Sequence, residues 1–305
     1  MLGRVGRDAG SLLGVEIASD SIRLMQLQRR RGRFHVKAWA HETLEAQVFH
    51  DGWVKAPEPV VAALRRAYQR SGSRQRRVAV ALPGSQVICK VRHLSAGLDE
   101  AAMETQLLVE ADQFIPFPLD DLALDFQVLG PSLSHPGKLD VIIAACRQSL
   151  LDPLEQLIEA AGLHAESVEV DSFALARVLP CSSQDRCAML QIEAGQSILH
   201  AWSGPALPQR HELQPGSMDT AWLDRLAQLL EAQASQSPFD RLLLAGPDAA
   251  QAIMLPTLEA RLGIACEVID PLSALHLGRV PDVDALRAQG SAMTLACGLA
   301  LRGLT

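Results

Sequence analysis

The chain has 305 residues, of which 48% are hydrophobic and 21% are charged, so it is long enough for about two domains with large apolar cores. No apolar run approaches the roughly 18 residues that a membrane-spanning helix needs, and residues 1–10 lack the apolar segment of a secretory signal. We therefore expect a cytoplasmic protein. The net charge of −7 conceals a basic region, because residues 22–92 contain 15 Lys or Arg against four Asp or Glu.

The basic region contains two arginine clusters. One is the run Arg29, Arg30 and Arg31 before Gly32, which predicts the tip of a hairpin, and the other follows a helix and its exit at residues 65–77. Such clusters attract anionic lipid head groups or an acidic partner, although a solvated surface is the commoner reason for the pattern. We expect no nucleic acid as a partner, because the region has few interleaved aromatic residues and no recognition motif.

Apolar periodicity predicts several short elements in the first part of the chain. They are strands at residues 12–17, 22–27 and 34–38, an amphipathic helix at 60–68, and a strand pair at 77–82 and 86–94. Small residues at 18–21 predict a tight turn between the first two strands.

The stretch from Val109 to Leu129 changes character twice. A helical apolar pattern over residues 100–113 is stopped by two prolines, and apolar alternation over residues 122–128 predicts a strand after them. The connector between helix and strand is apolar, where a surface loop is ordinarily polar. This apolar corner consists of Phe114, Ile115, Pro116, Phe117 and Pro118. A rigid corner of this kind either fills its own core or faces a partner, and both interpretations stay open from the residues alone.

The remaining pattern alternates strands and helices and starts again near Cys187. The predicted elements are strands at 140–146, 166–170, 189–192, 198–202 and 241–245 and around Val268, with helices at 151–161, 171–178, 220–234, 249–262 and 292–301. The segments LLGVEIASDSIRL and CAMLQIEAGQSIL share the order apolar strand, small-residue turn and second strand, which is a faint internal repeat. Two such halves predict two α/β domains that face one another across a cleft.

Three small-residue turns, at residues 16–21, 191–195 and 245–248, would point into that cleft, and backbone N–H groups at such turns attract phosphate. The candidate nucleotide-binding residues are Glu16, Ala18, Ser19, Ser21, Gln191, Glu193, Gly195 and Gly246. The sequence has no P-loop, dinucleotide, zinc-protease or nucleophile-elbow motif, and its histidines have no metal-ligand spacing. We therefore expect no catalytic residues and no metal site.

Five blocks of the sequence resemble a known family. They are GVEIASDSIRLMQL, VAVALPGSQVICKVRHL, EADQFIPFPLDDLALDFQVLG, DVIIAACRQSLL with EAAGLHAESVEVDSFALARVL, and AMTLACGLALRG. They are similar to successive blocks of the type IV pilus assembly protein PilM family, which is similar to the cell-division protein FtsA and belongs to the actin-like ATPase superfamily. The similarity is dense over residues 12–180 and thin over residues 188–305.

The resemblance implies an α/β fold of two facing actin-like (ribonuclease H-like) domains, with an inserted FtsA-style subdomain 1C and a reduced or absent subdomain 2B. The implied division is 1–77 for the first part of subdomain 1A, 78–150 for 1C, 151–187 for the second part of 1A, 188–290 for 2A with a truncated 2B, and 291–305 for a C-terminal helix that returns to 1A.

The resemblance also implies a cytoplasmic adaptor that is peripheral to the inner membrane. In the family, a groove between 1A and 1C binds the short N-terminal tail of the inner-membrane protein PilN, which connects it to PilO and PilP. We place the apolar corner at or near that groove, because the corner lies in 1C, and expect Arg29, Arg30 and Arg31 to contact an anionic surface. Contact with a motor ATPase and formation of a homodimer stay open.

The nucleotide turns depart from the family pattern, in which Asp and Gly stand where this chain has Glu16 and Ala18. Ala18 hinders the approach of backbone to a phosphate, and Glu193 places a negative charge where triphosphate oxygens would sit. The family has several glycines in the third turn, and of these this chain retains only Gly246. We therefore expect a degenerate cleft without a bound cofactor, and the sequence favours a protein without enzymatic activity. The alternative is an active actin-like ATPase that binds ATP with Mg²⁺ and controls the tail groove.

Overall fold

The computed structural model describes residues 10–45, 49–50, 53–180, 186–193, 196–203, 207–213, 220–234, 238–247, 251–278 and 280–304. Within these ranges no helix combines the length and the apolar character that crossing a bilayer requires. The strands form two five-stranded sheets, one three-stranded sheet and a small hairpin of β4 (Phe49–His50) and β5 (Trp53–Val54).

The first half of the chain is built on a five-stranded sheet. In sheet order its strands are β10 (His164–Val170), β6 (Arg77–Leu82), β1 (Leu13–Ile17), β2 (Ser21–Arg30) and β3 (Arg33–Thr43). The strands β1, β2 and β3 form an antiparallel meander, whereas β6 and β10 run parallel to β1. Parallel strands need both faces covered, and helices cover both faces of this sheet.

Helices α1 (Pro57–Ser71) and α3 (Gln148–Ala160) pack on one face, where Leu64 and Ile158 join the strand residue Val15 in one core cluster. Helix α8 (Thr294–Leu301) covers the other face. It lies so close to β1 that a Cβ on Gly14 would be 2.2 Å from the carbonyl oxygen of Ala296. Only glycine allows this approach, which fixes the C-terminal helix against the strand that leads into the first turn.

The second five-stranded sheet repeats the order of the first. Its strands are β13 (Gln209–Leu213), β12 (Gln196–Ser203), β11 (Arg186–Glu193), β14 (Arg241–Ala245) and β15 (Ala265–Val268). Here too the first three strands along the chain form an antiparallel meander, and the last two run parallel to β11. The internal repeat predicted from the sequence is therefore confirmed by the topology.

Helices α5 (Thr220–Gln233) and α6 (Gln251–Leu262) cover the outer face of the second sheet through Trp222, Leu226 and Leu258. In the described part of the chain, α5 is the only helix between β13 and β14. The inner face packs against the first half, where Met189 and Leu243 share a cluster with Leu175 of α4 (Asp171–Ala176) and with α8. One apolar layer therefore joins the two halves below the cleft.

A third unit is inserted between β6 and α3. It consists of an antiparallel sheet with the order β7 (Ile88–Ser95), β9 (Lys138–Arg147), β8 (Leu122–Pro131), and of helix α2 (Glu100–Val109), which packs on one face of this sheet. The predicted pairing of residues 77–82 with residues 86–94 is wrong, because β6 pairs with β1 and β10 while β7 pairs with β9. The near-complete burial of β6 suits a central strand of the first sheet, and the chain leaves that sheet after it.

The other strands and helices predicted from periodicity are confirmed, with ends that shift by a few residues. The polar edge strand β13 and the short helix α7 (Val283–Ala288) lie outside those predictions. β13 is polar apart from Leu213 and shows no apolar alternation, and α7 is too short to show a helical period.

Candidate functional site

The cleft between the two halves is lined by the first hairpin of each sheet. Because the two topologies match, the end of β1 and the end of β11 meet across the cleft, and each carries polar side chains in an otherwise apolar strand. Glu16, Gln191 and Glu193 are each at most 9% exposed. Buried carboxylates of this kind require cationic or hydrogen-bonding partners.

Arg23 supplies that partner and joins the two halves. It lies on β2 and is 1% exposed, although Arg is almost never fully buried unless it is paired. Its Nη1 donates to Glu16 Oε1 at 3.0 Å and to Glu193 Oε1 at 2.8 Å, and its Nη2 donates to Glu193 Oε2 at 2.7 Å. The pair with Glu193 is therefore bidentate, the geometry in which a guanidinium holds a carboxylate best. Asp20 completes the cluster at 3.6 Å from Nη2.

The carboxylates and the guanidinium of this cluster differ in how firmly they keep their charge. Burial raises the pKa of Glu16 to about 7, with Arg23 opposing the rise and the Glu193 carboxylate adding to it. Oε2 of Glu16 is buried and has no hydrogen-bond partner among the described residues. Burial alone would weaken the charge of Arg23, but its carboxylate neighbours outweigh burial and raise the pKa of Arg23. Arg23 thus stays ionised, whereas Glu16 is the member of the cluster that can take up a proton near neutral pH.

A second ion pair crosses the cleft beside the first. Asp171, at the start of α4 in the first half, accepts from Nε of Arg210 on β13 at 2.9 Å and from the backbone N–H of Gly84 at 3.0 Å. Arg210 also donates to Glu212 at 2.6 Å, and Ser85 donates to Glu212 at 3.3 Å. These contacts join the loop after β6 to the edge strand of the second sheet.

A buried histidine extends this polar network. Ser172 Oγ lies 2.9 Å from Nδ1 of His200, which is fully buried on β12, and Trp202 Nε1 donates to the carbonyl of Ser172 at 3.3 Å. Burial lowers the pKa of His200 to about 4, so the imidazole is neutral at neutral pH. The sequence placed His200 on a strand, but its polar partners become visible only in the folded structure.

The structure brings most of the candidate nucleotide residues to one cavity. Glu16, Ala18, Ser19, Gln191 and Glu193 line it. Ser21 is instead buried beside Asp20, to which its hydroxyl donates at 2.8 Å, and the N–H of Gly246 donates to Ser291 O at 3.3 Å. Gly195 lies outside the described residues. Asp171 and Glu212 also line the cavity, so carboxylates outnumber cations along its wall. No group of three or more potential metal ligands occurs in the described ranges.

A second concave surface, which we name the insert groove, lies between the inserted unit and the first half. Its walls are residues 125–127 of β8, Ile142 and Ala144 of β9, residues 168–170 of β10, and Phe173, Arg177 and Arg302. The floor is apolar and one end is charged. There Glu169 accepts from Arg177 at 2.7 and 2.9 Å and from Arg302 at 2.8 Å, so two guanidinium groups hold one carboxylate.

The sequence model of the family described as type IV pilus assembly protein PilM matches residues 14–200 and 210–304. The chain belongs to the PilM family. The match includes most of both cleft hairpins and all of the inserted unit, and the residues that line the cleft and the insert groove lie within the matched ranges.

Solved structures show the same fold as this PilM-family chain. A structure described as a PilM-PilN type IV pilus biogenesis complex matches with a TM-score of 0.78 at 23% identity and covers 97% of this chain and 99% of that chain. The ethanolamine utilization protein EutJ from Carboxydothermus hydrogenoformans matches with a TM-score of 0.54 at 12% identity, covering 98% and 92%. The cytoplasmic domain of EpsL, an inner membrane component of the type II secretion system of Vibrio cholerae, matches with a TM-score of 0.50 at 15% identity, covering 96% and 95%. The fold is the actin-like α/β fold of two facing domains.

The apolar corner mostly fills the interior of the inserted unit of this PilM-family chain. Phe114 and Ile115 are buried in the cluster under α2, and Arg92 lies over the Phe114 ring at 5.0 Å. Phe117 is half-buried beneath Arg147 at 5.2 Å, whereas Pro116 and Pro118 are exposed. None of the corner residues lines the insert groove. Contact between the corner and a partner stays a prediction. Of the five corner residues, Pro116, Phe117 and Pro118 are the ones whose side chains are accessible to a partner.

The arginine run Arg29, Arg30 and Arg31 lies where the sequence places it, exposed at the tip of the β2–β3 hairpin. Arg31 and Gly32 both adopt positive φ in that turn.

The residues that sequence reasoning missed are Arg23, Asp171 and Arg210. Arg23 had a usable signal, because it is the one charged residue in the apolar strand segment at 22–27.

Proposed function

We propose that this chain acts in type IV pilus assembly as an adaptor. Its insert groove binds the N-terminal tail of a PilN-like inner-membrane protein, and its cleft between the halves has lost the ATPase activity of the superfamily. The observation that carries the proposal is the match, over nearly the full length of both chains, to a structure described as a PilM-PilN complex. The chain is thereby held at the inner membrane through its partner.

The insert groove has the properties that a peptide site needs. It is open, its floor contains the half-buried apolar residues Ile142 and Phe173, and charged groups at one end can fix the direction of a bound chain. It also lies between two rigid sheets, so it exists before a partner arrives and costs little ordering free energy. A connection to PilO and PilP would follow through the PilN-like protein.

The cleft supports the second part of the proposal. A nucleotide brings several negative charges, and the cavity presents Glu16, Glu193, Asp171 and Glu212 to them. Two cations could neutralise the charge of a nucleotide, namely Arg23 and Arg210. Both already form ion pairs with those carboxylates. Phosphate binding would have to break a buried ion pair, which costs several kcal/mol.

The first experiment is calorimetric titration of the full chain with a peptide copied from the N-terminus of the PilN-like protein encoded beside it. We expect one peptide per chain. Phe173→Ala and Ile142→Ala should weaken binding by about tenfold each, because each removes apolar contact from the floor. Leu133→Ala is the matched control, since Leu133 is fully exposed and lies away from the groove. Absence of binding by the unaltered chain would overturn the adaptor proposal.

The second experiment is titration with Mg-ATP under the same conditions. We expect no heat of binding at micromolar nucleotide and no release of phosphate over hours. Micromolar affinity would instead support the alternative, an actin-like ATP-binding protein whose nucleotide state controls the groove. Glu193→Gln tests the electrostatic reason, because it removes one carboxylate from the cavity wall and releases the bidentate pair that engages Arg23, so the affinity for Mg-ATP should rise relative to the unaltered chain.

A further inference from the structure

The two ends of the first sheet have different surroundings. The turn between β1 and β2 lies at the cleft end, whereas the opposite end carries two groups of exposed arginines. One group is at the tip of the β2–β3 hairpin, and the other is in the segment that joins α1 to β6. We name this surface the basic end and define it by six residues, Arg29, Arg30, Arg31, Arg33, Arg74 and Arg76.

The register of the strands brings the two groups of arginines to the same end of the sheet. Leu13 of β1 pairs with both Gln26 of β2 and Val78 of β6, so these residues lie at one level. Beyond that level β2 continues to Arg30, and the chain that enters β6 arrives from Arg74. Only β1 lies between β2 and β6, so these two strands are about 10 Å apart.

Hydrogen bonds fix the segment between α1 and β6 beside the hairpin. The hydroxyl of Ser73 donates to Oε1 of Gln26 at 2.9 Å, and Nε2 of Gln75 donates to the carbonyl of Ser11. The hydroxyl of Ser11 in turn donates to the carbonyl of Leu27 at 2.6 Å. The two arginines that flank Gln75 therefore extend from a backbone that is held against the start of β1 and the middle of β2.

The protein does not neutralise the basic end with carboxylates of its own. Other arginines of this half are paired, since Glu42 accepts from Arg66 at 2.8 Å and from Arg70 at 2.9 Å, and Glu166 accepts from Arg77 at 2.8 Å. Among the described residues, none of the six arginines of the basic end forms an ion pair. Six like charges therefore remain close together, and their mutual repulsion favours a polyanionic partner.

The aromatic residues near the basic end do not form a stacking surface for nucleic-acid bases. Arg29 lies over the ring of Phe34 at 5.9 Å, and Nε1 of Trp39 donates to the carbonyl of Pro281 at 2.8 Å. Both rings are half-buried, whereas proteins that bind single strands present exposed rings between their basic residues. An anionic bilayer requires only exposed cations on one surface, so the basic end suits a membrane better than a nucleic acid.

We propose that the basic end binds the surface of an anionic lipid bilayer, with both groups of arginines in contact with head groups and the cleft end of the first sheet turned away from the membrane. This inference goes beyond the adaptor function and does not depend on a peptide in the insert groove. Binding by the chain itself would reinforce recruitment through a membrane partner, because two linked contacts with one surface raise the effective concentration of each.

Flotation of the full chain with vesicles tests this surface. Vesicles of phosphatidylcholine with about one-third phosphatidylglycerol should bind the chain at low salt and release it at about 0.5 M salt, because salt screens exposed charges. The double variant Arg74→Gln with Arg76→Gln should lower the partition coefficient by about fivefold for each charge removed. Arg241→Gln with Arg261→Gln is the matched control, since it removes the same charge from exposed positions on the second half and should have less than about a twofold effect.

Four results would overturn the proposal. The first is absence of flotation by the unaltered chain with the anionic vesicles, and the second is an equal loss for the two double variants, which would reflect net charge alone. The third is an unchanged partition coefficient for Arg74→Gln with Arg76→Gln, which would restrict the contact to the hairpin tip. The fourth is tighter binding to duplex DNA than to vesicles at the same salt, which would assign the surface to nucleic acid. Each of these results leaves the peptide titration, and with it the adaptor proposal, unaffected.

Discussion

The guanidinium of Arg23 lies 2.7 Å from the carboxylate of Glu193, which is 170 positions further along the chain. A single side chain of the first sheet thereby holds the second sheet at the cleft. Both residues are nearly inaccessible to water, so their attraction is screened far less than that of a surface pair. An ion pair between buried residues of the two halves therefore spans the cleft of this PilM-family chain.

Replacement of that cation should destabilise the fold. Arg23→Met leaves Glu16 and Glu193 buried side by side, and we expect the free energy of unfolding to fall by about 3–5 kcal/mol, because a stranded buried charge is costly. Urea denaturation at pH 8 measures the change. Arg29→Met is the same substitution at the exposed hairpin tip and should cost less than about 0.5 kcal/mol. Equal losses for the two variants would contradict the importance of the cluster.

Glu16 should make stability fall as the pH rises through neutrality. Its folded pKa is raised from 4.5 to about 7, so the folded chain retains a proton that the unfolded chain has lost over this interval. The favourable contribution is complete below pH 4.5 and is lost as the pH passes 7. Glu16→Gln removes this titration, so the variant should gain stability relative to the unaltered chain between pH 5 and pH 8. Thermal melts at four pH values, with the exposed Glu104→Gln as control, would detect the trend, and parallel curves would refute it.

The buried His200 should make stability fall as the pH decreases below neutrality. Its pKa is lowered from 6.5 to about 4, so the unfolded chain takes up a proton that the folded chain excludes. Stability contributed by the neutral imidazole is therefore lost as the pH falls from 6.5 to 4. His200→Asn keeps a polar group near Ser172 and should make this part of the stability profile flatter. The exposed His164→Asn serves as control, and an unchanged slope for His200→Asn would disprove the assignment.

Gly14 should tolerate no side chain. A Cβ there would lie 2.2 Å from Ala296 O and 2.7 Å from Ala300 N, both backbone atoms of α8. Gly14→Ala must push α8 away from β1, and we expect a loss of about 3 kcal/mol in the free energy of unfolding. Gly97→Ala is the matched control, because nothing lies within 4 Å of its added Cβ. A Gly14→Ala variant as stable as the control would show that α8 is not seated on this strand.

The arginine tip should bind anionic membranes weakly. Replacement of Arg29, Arg30 and Arg31 by Glu is expected to reduce flotation with vesicles that contain anionic lipid, because each basic residue near such a surface contributes about 1 kcal/mol. Vesicles of neutral phosphatidylcholine are the control and should recruit neither protein. Flotation with anionic vesicles that does not differ between the variant and the unaltered chain would favour an ordinary solvated surface.

Much of this fold was predictable because periodicity reports local structure. The apolar alternation at residues 22–27 and 122–128, the two-part repeat, and the family resemblance were all available before any contact was known. The strand partners of β6 and β7 were not predictable from periodicity. The two strands are close along the chain, which favours a hairpin between them, but β6 is buried and lies inside the first five-stranded sheet.

The amino-acid sequence by itself determined the actin-like pair of domains, the turns that line the cleft and the exposed arginine tip. Only the tertiary structure decided that Glu193 is paired with Arg23, that Phe114 and Ile115 fill the insert instead of facing outward, and that the inserted unit and the first half form one groove. Periodicity is a property of neighbouring residues, whereas ion pairs, burial and shared edges depend on which distant surfaces the folded chain brings together.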